Sequence, residues 1–231
     1  MTVLNHKIAF YTTSVLGLLL VLFMISTFIT YSNKRKKVTL FLALNYLSFL
    51  IGMLFFAIAH YSVVQIGSTT DLYFQTSMFA NIFITAGIIF LTFFHGGFAE
   101  VKKSSKIIKI IFGVFIIVWI ALPFNYIVVS TGGFQLKYLT YTLMSIYGII
   151  IYIDLTVSFF KLSMKALKGS KERKQLFALG LGSLVFLEYF IVITVYGILQ
   201  IFIFLLLGLL SLTISFLCYF LGIYIPKFRK S

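Results

Sequence analysis

The sequence predicts an all-α polytopic membrane protein, a bundle of seven transmembrane helices with its N-terminus outside and its C-terminus in the cytoplasm. Three observations predict it. Of 231 residues, 61% are hydrophobic and only 10% are charged, whereas soluble domains carry roughly 25% charged residues. Seven apolar segments reach the roughly 20 residues that a helix needs to cross a bilayer core. The Lys and Arg residues stand in short clusters between those segments.

The segments lie at 8–31, 38–60, 72–98, 107–129, 138–160, 176–196 and 201–225. The first follows a lone Lys7, runs past 20 residues, shows no small-residue cleavage site and ends in "NKRKK". It is therefore expected to be an uncleaved span rather than a signal peptide. The last two are almost continuous: residues 176–225 are 50 residues with one charge, about twice what one span needs. A tight turn near "YGILQ" (196–200) is the expected break, since Gly197 is conformationally permissive. No repeat or linker divides the chain, so one membrane domain is expected to occupy residues 1–231.

Orientation follows from charge. "NKRKK", "EVKKSSKIIK", "KLSMKALKGSKERKQ" and "PKFRKS" hold 17 of the 19 Lys and Arg residues, leaving Lys7 and Lys137 for the opposite side. An odd number of spans puts all four clusters on one face, and the positive-inside rule makes that face cytoplasmic. The same distribution argues against nucleic acid as the partner of a chain with formal charge +14. The clusters set topology and attract anionic lipid, at about 1 kcal/mol per charge. The expected location is the cell membrane, crossed several times. Cys218 is the single cysteine, so no intramolecular disulfide can form.

Ionisable groups at membrane depth are expensive and mark function by default. Two stand out, Asp154 and Glu188. Asp154 lies about seven residues from the cytoplasmic end of the fifth span, roughly 10 Å into the core. Glu188 lies near the middle of the sixth, among apolar neighbours on its own helix, so any hydrogen-bonding partner is expected from another helix. No Lys or Arg is read as lying deep in a span, which leaves Lys161 as the cation that Asp154 could reach. Each carboxyl is either a helix-to-helix packing bond or part of a proton relay, ion site or switch.

The other candidates sort by depth. Toward the outside lie His60, Asn81 and Asn125, with Pro123 able to kink the fourth helix; these could line a ligand cavity open to the exterior. Toward the inside lie Asn45 and His95, which with Asp154 could couple helix movement to the cytoplasmic loops. Plain interhelical bonding competes with a ligand role for each amide. The histidines, near helix ends, are expected to be solvated and scattered, a weak basis for a metal site. "LGLGS" (179–183) reads as a close-packing patch rather than a nucleophile elbow, because G-x-S-x-G is absent.

Seven spans with an outside N-terminus are shared with rhodopsins and G-protein-coupled receptors. No lysine stands in the last span to hold retinal, and D-R-Y and N-P-x-x-Y are absent. No cofactor is expected. The basic "KGSKERKQLFALGLGSLV" (168–185) and the exit "LGIYIPKFRK" (221–230) resemble the seven-helix N-terminal sensor region of prokaryotic histidine kinases. That family continues into a cytoplasmic kinase or other signalling module. With the sequence reaching only Ser231, the resemblance implies a free-standing sensor that signals through a separate cytoplasmic protein. The expected function is thus receptor-like and not enzymatic. The alternative is a small transporter or proton-coupled carrier using Asp154 and Glu188. Expected partners are the bilayer, anionic lipid, a cytoplasmic signalling protein and, as an open option, a second copy of the chain.

Overall fold

The computed structural model of the chain describes residues 3–67, 71–97, 103–122, 134–199 and 201–224. They form seven helices: α1 Val3–Lys34, α2 Lys37–Ile66, α3 Asp71–His95, α4 Lys103–Ala121, α5 Phe134–Lys165, α6 Lys171–Leu199 and α7 Phe202–Tyr224. All seven are long and apolar enough to cross a membrane. Most outrun the expected spans because hydropathy marks only the lipid-compatible stretch. The 32 residues of α1 make a rod of about 48 Å, against a hydrocarbon core of about 30 Å. Helix α4 is described to Ala121, and residues 123–129 of its expected span lie outside the described residues.

The junctions explain where helices end. Gly67 closes α2 at φ 80°, donating its N–H to the Val63 carbonyl at 2.8 Å; a left-handed residue at this position is what glycine allows. Gly169, at φ 78°, takes the same left-handed conformation in the link before α6. Ser170 then caps α6, its Oγ accepting from the Arg173 N–H at 3.1 Å, which satisfies one otherwise orphaned donor. The expected break at Gly197 is displaced. Helix α6 runs through Gly197 to Leu199, and α7 begins at Phe202, because one glycine costs a helix only about 1 kcal/mol.

Successive helices pack side by side, α1 closes the ring against α7, and α3 also meets α5. Aromatic rings fill the middle. Tyr152 of α5 stacks on Phe186 of α6 at 4.2 Å, and Phe186 stands edge-on to Phe49 of α2 at 5.4 Å and to Phe216 of α7 at 5.5 Å. Edge-to-face and offset pairs add roughly 0.5–1.5 kcal/mol beyond burial. Gly182 brings α6 against α7, since a Cβ there would lie 3.1 Å from the Ser215 carbonyl. Ser215 Oγ donates to the Gly182 carbonyl at 2.7 Å, and the Ser183 and Tyr219 hydroxyls share a bond of 2.6 Å. The small residues of "LGLGS" thus serve packing. The antiparallel succession collects the α1–α2 junction, the start of α4 and the α5–α6 junction at one end of the bundle. This basic end carries Arg35, Lys36, Lys106, Lys168, Arg173 and Lys174. Large apolar side chains such as Leu18, Leu22, Ile108 and Leu210 cover the outside, as contact with a lipid bilayer requires.

Candidate functional site

Above the aromatic layer, in the half of the bundle away from the basic end, the helices leave a cavity of about 80 Å³. Six of the seven helices wall it. Thr13 comes from α1; Met53, Phe56 and His60 from α2; Tyr73, Asn81 and Ile84 from α3. Met144 and Ser145 come from α5, Tyr189, Phe190, Ile193 and Tyr196 from α6, and Leu205 and Leu209 from α7. Among the described residues α4 contributes nothing to this lining.

The chemistry of the wall is apolar with a few polar points, the usual make-up of a small-molecule site. Asn81 is buried, and its side-chain amide makes no hydrogen bond within the described residues. It has two donors and an acceptor to offer a guest. Thr194 Oγ1 gives its one proton to the Phe190 carbonyl at 2.6 Å, so Ser145 donates to Thr194 Oγ1 at 2.5 Å and keeps a lone pair to offer a guest. Among the described residues no Lys, Arg, Asp or Glu lines the space, so the cavity suits a neutral molecule with hydrogen-bonding groups rather than an ion.

At the rim, His60 Nδ1 lies 2.9 Å from His6 Nδ1, with both rings buried. One ring must carry its proton on Nδ1 and the other must leave that nitrogen free. Tyr73 stands edge-on to His6 at 5.6 Å. This corrects the expectation of scattered, solvated histidines. The residues are 54 apart in sequence, but the α1–α2 hairpin folds both to the same end. Among the described residues no three His, Cys, Asp or Glu converge as metal ligands would.

The structure therefore brings His60 and Asn81 into one cavity; Asn125 lies outside the described residues. Asn45 is elsewhere. Its Nδ2 donates to the Gly87 carbonyl at 2.8 Å, a bond that ties α2 to α3 in the packed interior.

The basic half holds a second polar cluster. Lys109 Nζ of α4 forms an ion pair with Asp154 Oδ2 of α5, replacing the expected contact with Lys161. The Lys109 side chain is 10% exposed and that of Asp154 47%. Reading Lys109 as part of a solvated cluster missed this, because α4 begins at Lys103 and carries Lys109 almost two turns into the helix. His95 is within electrostatic reach of both charges. Its Nε2 is buried with no hydrogen-bond partner among the described residues, and its ring lies 6.3 Å from Phe159. Lys106 lies over the Phe93 ring at 4.7 Å, a cation–π contact that also holds α4 to α3.

The partner expected for Glu188 on another helix is not found among the described residues. Glu188 does not turn into the bundle to meet another helix. It faces outward on α6, exposed beside Leu184 and Ile191, because the inward stripe of this helix is occupied by Leu179, Ser183, Phe186 and Phe190.

A linked series of ring contacts joins the two halves. Phe190, in the cavity wall, lies 5.7 Å from Tyr152 and 5.7 Å from Phe186. Phe186 reaches Phe216 of α7. One turn on, Tyr219 meets Phe94 at 6.4 Å, and Phe94 meets Phe159 at 6.1 Å, next to His95. Comparison of the chain with protein-family models, with curated proteins and with solved structures finds no match.

Proposed function

We propose that this chain is a receptor-like seven-helix membrane sensor, with its N-terminus outside and its basic end in the cytoplasm. A small neutral ligand held in the cavity biases how the helices pack, and a cytoplasmic signalling protein reads the change at the basic end. One observation carries the reading: the cavity lies where six helices meet, so a guest there touches elements whose relative positions define the state of the bundle. A ligand shifts such an equilibrium only through differential contacts with the two states, and a six-sided site supplies many. The orientation rests on the basic clusters. The resemblance of 168–185 and 221–230 to kinase-linked sensor regions points the same way. Asp154 is paired with Lys109 and Glu188 faces outward, so the cavity reading draws on neither of the carboxyls that a carrier would use. Neither lines the cavity.

The test is extraction of the protein from its native membrane in mild detergent, followed by mass spectrometry of what it carries. Wild type is expected to release a small neutral molecule that Ser145→Phe, which fills the cavity, does not. It is also expected to bring down a cytoplasmic protein, lost when the 161–174 cations are neutralised. Empty wild-type protein without a cytoplasmic partner would overturn the proposal.

A further inference from the structure

Glu188 stands about 20 Å along α6 from Gln175 and about 17 Å from Leu199, by the helical rise. It is near the middle of an outward-facing stripe. Phe177, Leu181, Leu184 and Ile191 flank it, all exposed. The carboxyl has no hydrogen-bond or ion-pair partner among the described residues. Hydrocarbon cannot satisfy such a group, and acidic side chains within membrane spans almost always face protein or a water-filled cavity. An exposed carboxyl at this depth marks a surface that something else covers.

We infer that this face of α6 packs against the same face of a second copy of the chain, with the two Glu188 carboxyls hydrogen-bonded to each other across a two-fold axis. The choice of occupant follows from what the chain can offer at that depth. Lys109 is taken by Asp154, and every other described Lys or Arg lies within two turns of a helix end or in a link. A copy presenting any other face brings no counter-charge. A two-fold contact is self-complementary, so the residue that needs a partner is its own partner. Two carboxylic acids then exchange a reciprocal pair of O–H···O bonds, which satisfies both without a cation.

The stripe fits this geometry. Residues 177, 181, 184, 188 and 191 recur at intervals of four, three, four and three, the seam of a left-handed helix pair crossing at about +20°. Outward stripes on α1, α4 and α7 share that spacing but carry no carboxyl. Spacing alone would not choose among them; Glu188 does. In paired helices a single polar residue within an apolar seam fixes register and partner number.

The experiment uses the full-length chain in lipid bilayers, with Cys218 replaced by Ser so that new thiols report alone. Single cysteines at Leu181, Leu184, Glu188 and Ile191 are oxidised, with Leu18 of α1 and Leu217 of α7 as controls. Cross-linked dimers are expected from the α6 positions and not from the controls. Association of dye-labelled protein, measured over a range of lipid dilution, is expected to weaken 5- to 30-fold in Glu188→Leu. That is the loss of a membrane hydrogen bond of about 1–2 kcal/mol. Glu188→Gln, which preserves a reciprocal bond, is expected to stay within threefold of wild type. Because the side chain faces outward, both variants should unfold like wild type, so a loss of association cannot be a loss of fold. The inference is overturned by a chain that stays monomeric at every dilution, by cross-links from α1 or α7 rather than α6, or by a Glu188→Leu variant that associates as tightly as wild type.

Discussion

Removing one partner of the Lys109–Asp154 pair tests how α4 is held. At an effective dielectric of 20, two unit charges 4 Å apart attract by about 4 kcal/mol, and desolvation of the lysine offsets part of that. The two partners differ in exposure, 10% for Lys109 and 47% for Asp154, so the two deletions should not cost the same. Asp154→Leu strands an ammonium that is nine-tenths buried, and should destabilise by about 2–4 kcal/mol, near the range for breaking a buried pair. Lys109→Met leaves a carboxyl that the protein encloses only by half and that can turn toward the basic end, so it should cost less, about 0.5–1.5 kcal/mol. The double variant, with neither charge, should lie within about 1 kcal/mol of wild type. Equilibrium unfolding of all four proteins in mixed micelles closes the cycle, and a coupling energy of about 4 kcal/mol is expected. Equal costs for the two single variants, or simple additivity in the double, would refute both the pairing and the argument from exposure.

Three further outcomes follow from the packing. Asn45→Leu removes the 2.8 Å bond to the Gly87 carbonyl and should cost about 1–2 kcal/mol in the same unfolding assay. Gly182→Leu forces α6 from α7 where even a Cβ would lie 3.1 Å from Ser215, Cys218 and Tyr219. It should cost about 1–3 kcal/mol or more, and cysteine cross-links between α6 and α7 should fall. Phe186→Ala opens the aromatic layer beneath the cavity, for about 3–5 kcal/mol; a loss under about 1 kcal/mol would mean that the layer is loosely packed.

The helices were legible because lipid demands long apolar runs, and seven such runs are hard to mistake. The packing role of Gly182 and Ser183 was legible as well, since small residues in a membrane helix have few other uses. Lys109 escaped because it follows Lys102, Lys103 and Lys106 closely enough to look like the end of a solvated cluster. The signal was nevertheless present. Lys109 is in phase with Gly113, Ile116 and Ile120, all of which the fold buries. Glu188 could not be assigned a direction, because α6 is apolar on every side and periodicity carries no information about which face turns inward. The meeting of His6 and His60 depends on two helices folding back by equal lengths. Asn81 and His60 could be placed in the same outer half by depth alone, whereas their convergence on one cavity required the α2–α3 contact.

The central claim, that the state of the cavity is read at the basic end, is tested most directly by a distance. Spin labels on cysteines replacing Arg35 and Lys168, both exposed at the basic end, report the separation of the α1–α2 and α5–α6 junctions in a Cys218→Ser background. Pulsed electron paramagnetic resonance compares the otherwise native chain with Ser145→Phe, whose ring occupies the cavity as a ligand would. The account predicts a displaced distance distribution, by about 1–2 Å, the scale of helix shifts in switching proteins. Superimposable distributions, from proteins that unfold at the same temperature, would contradict it.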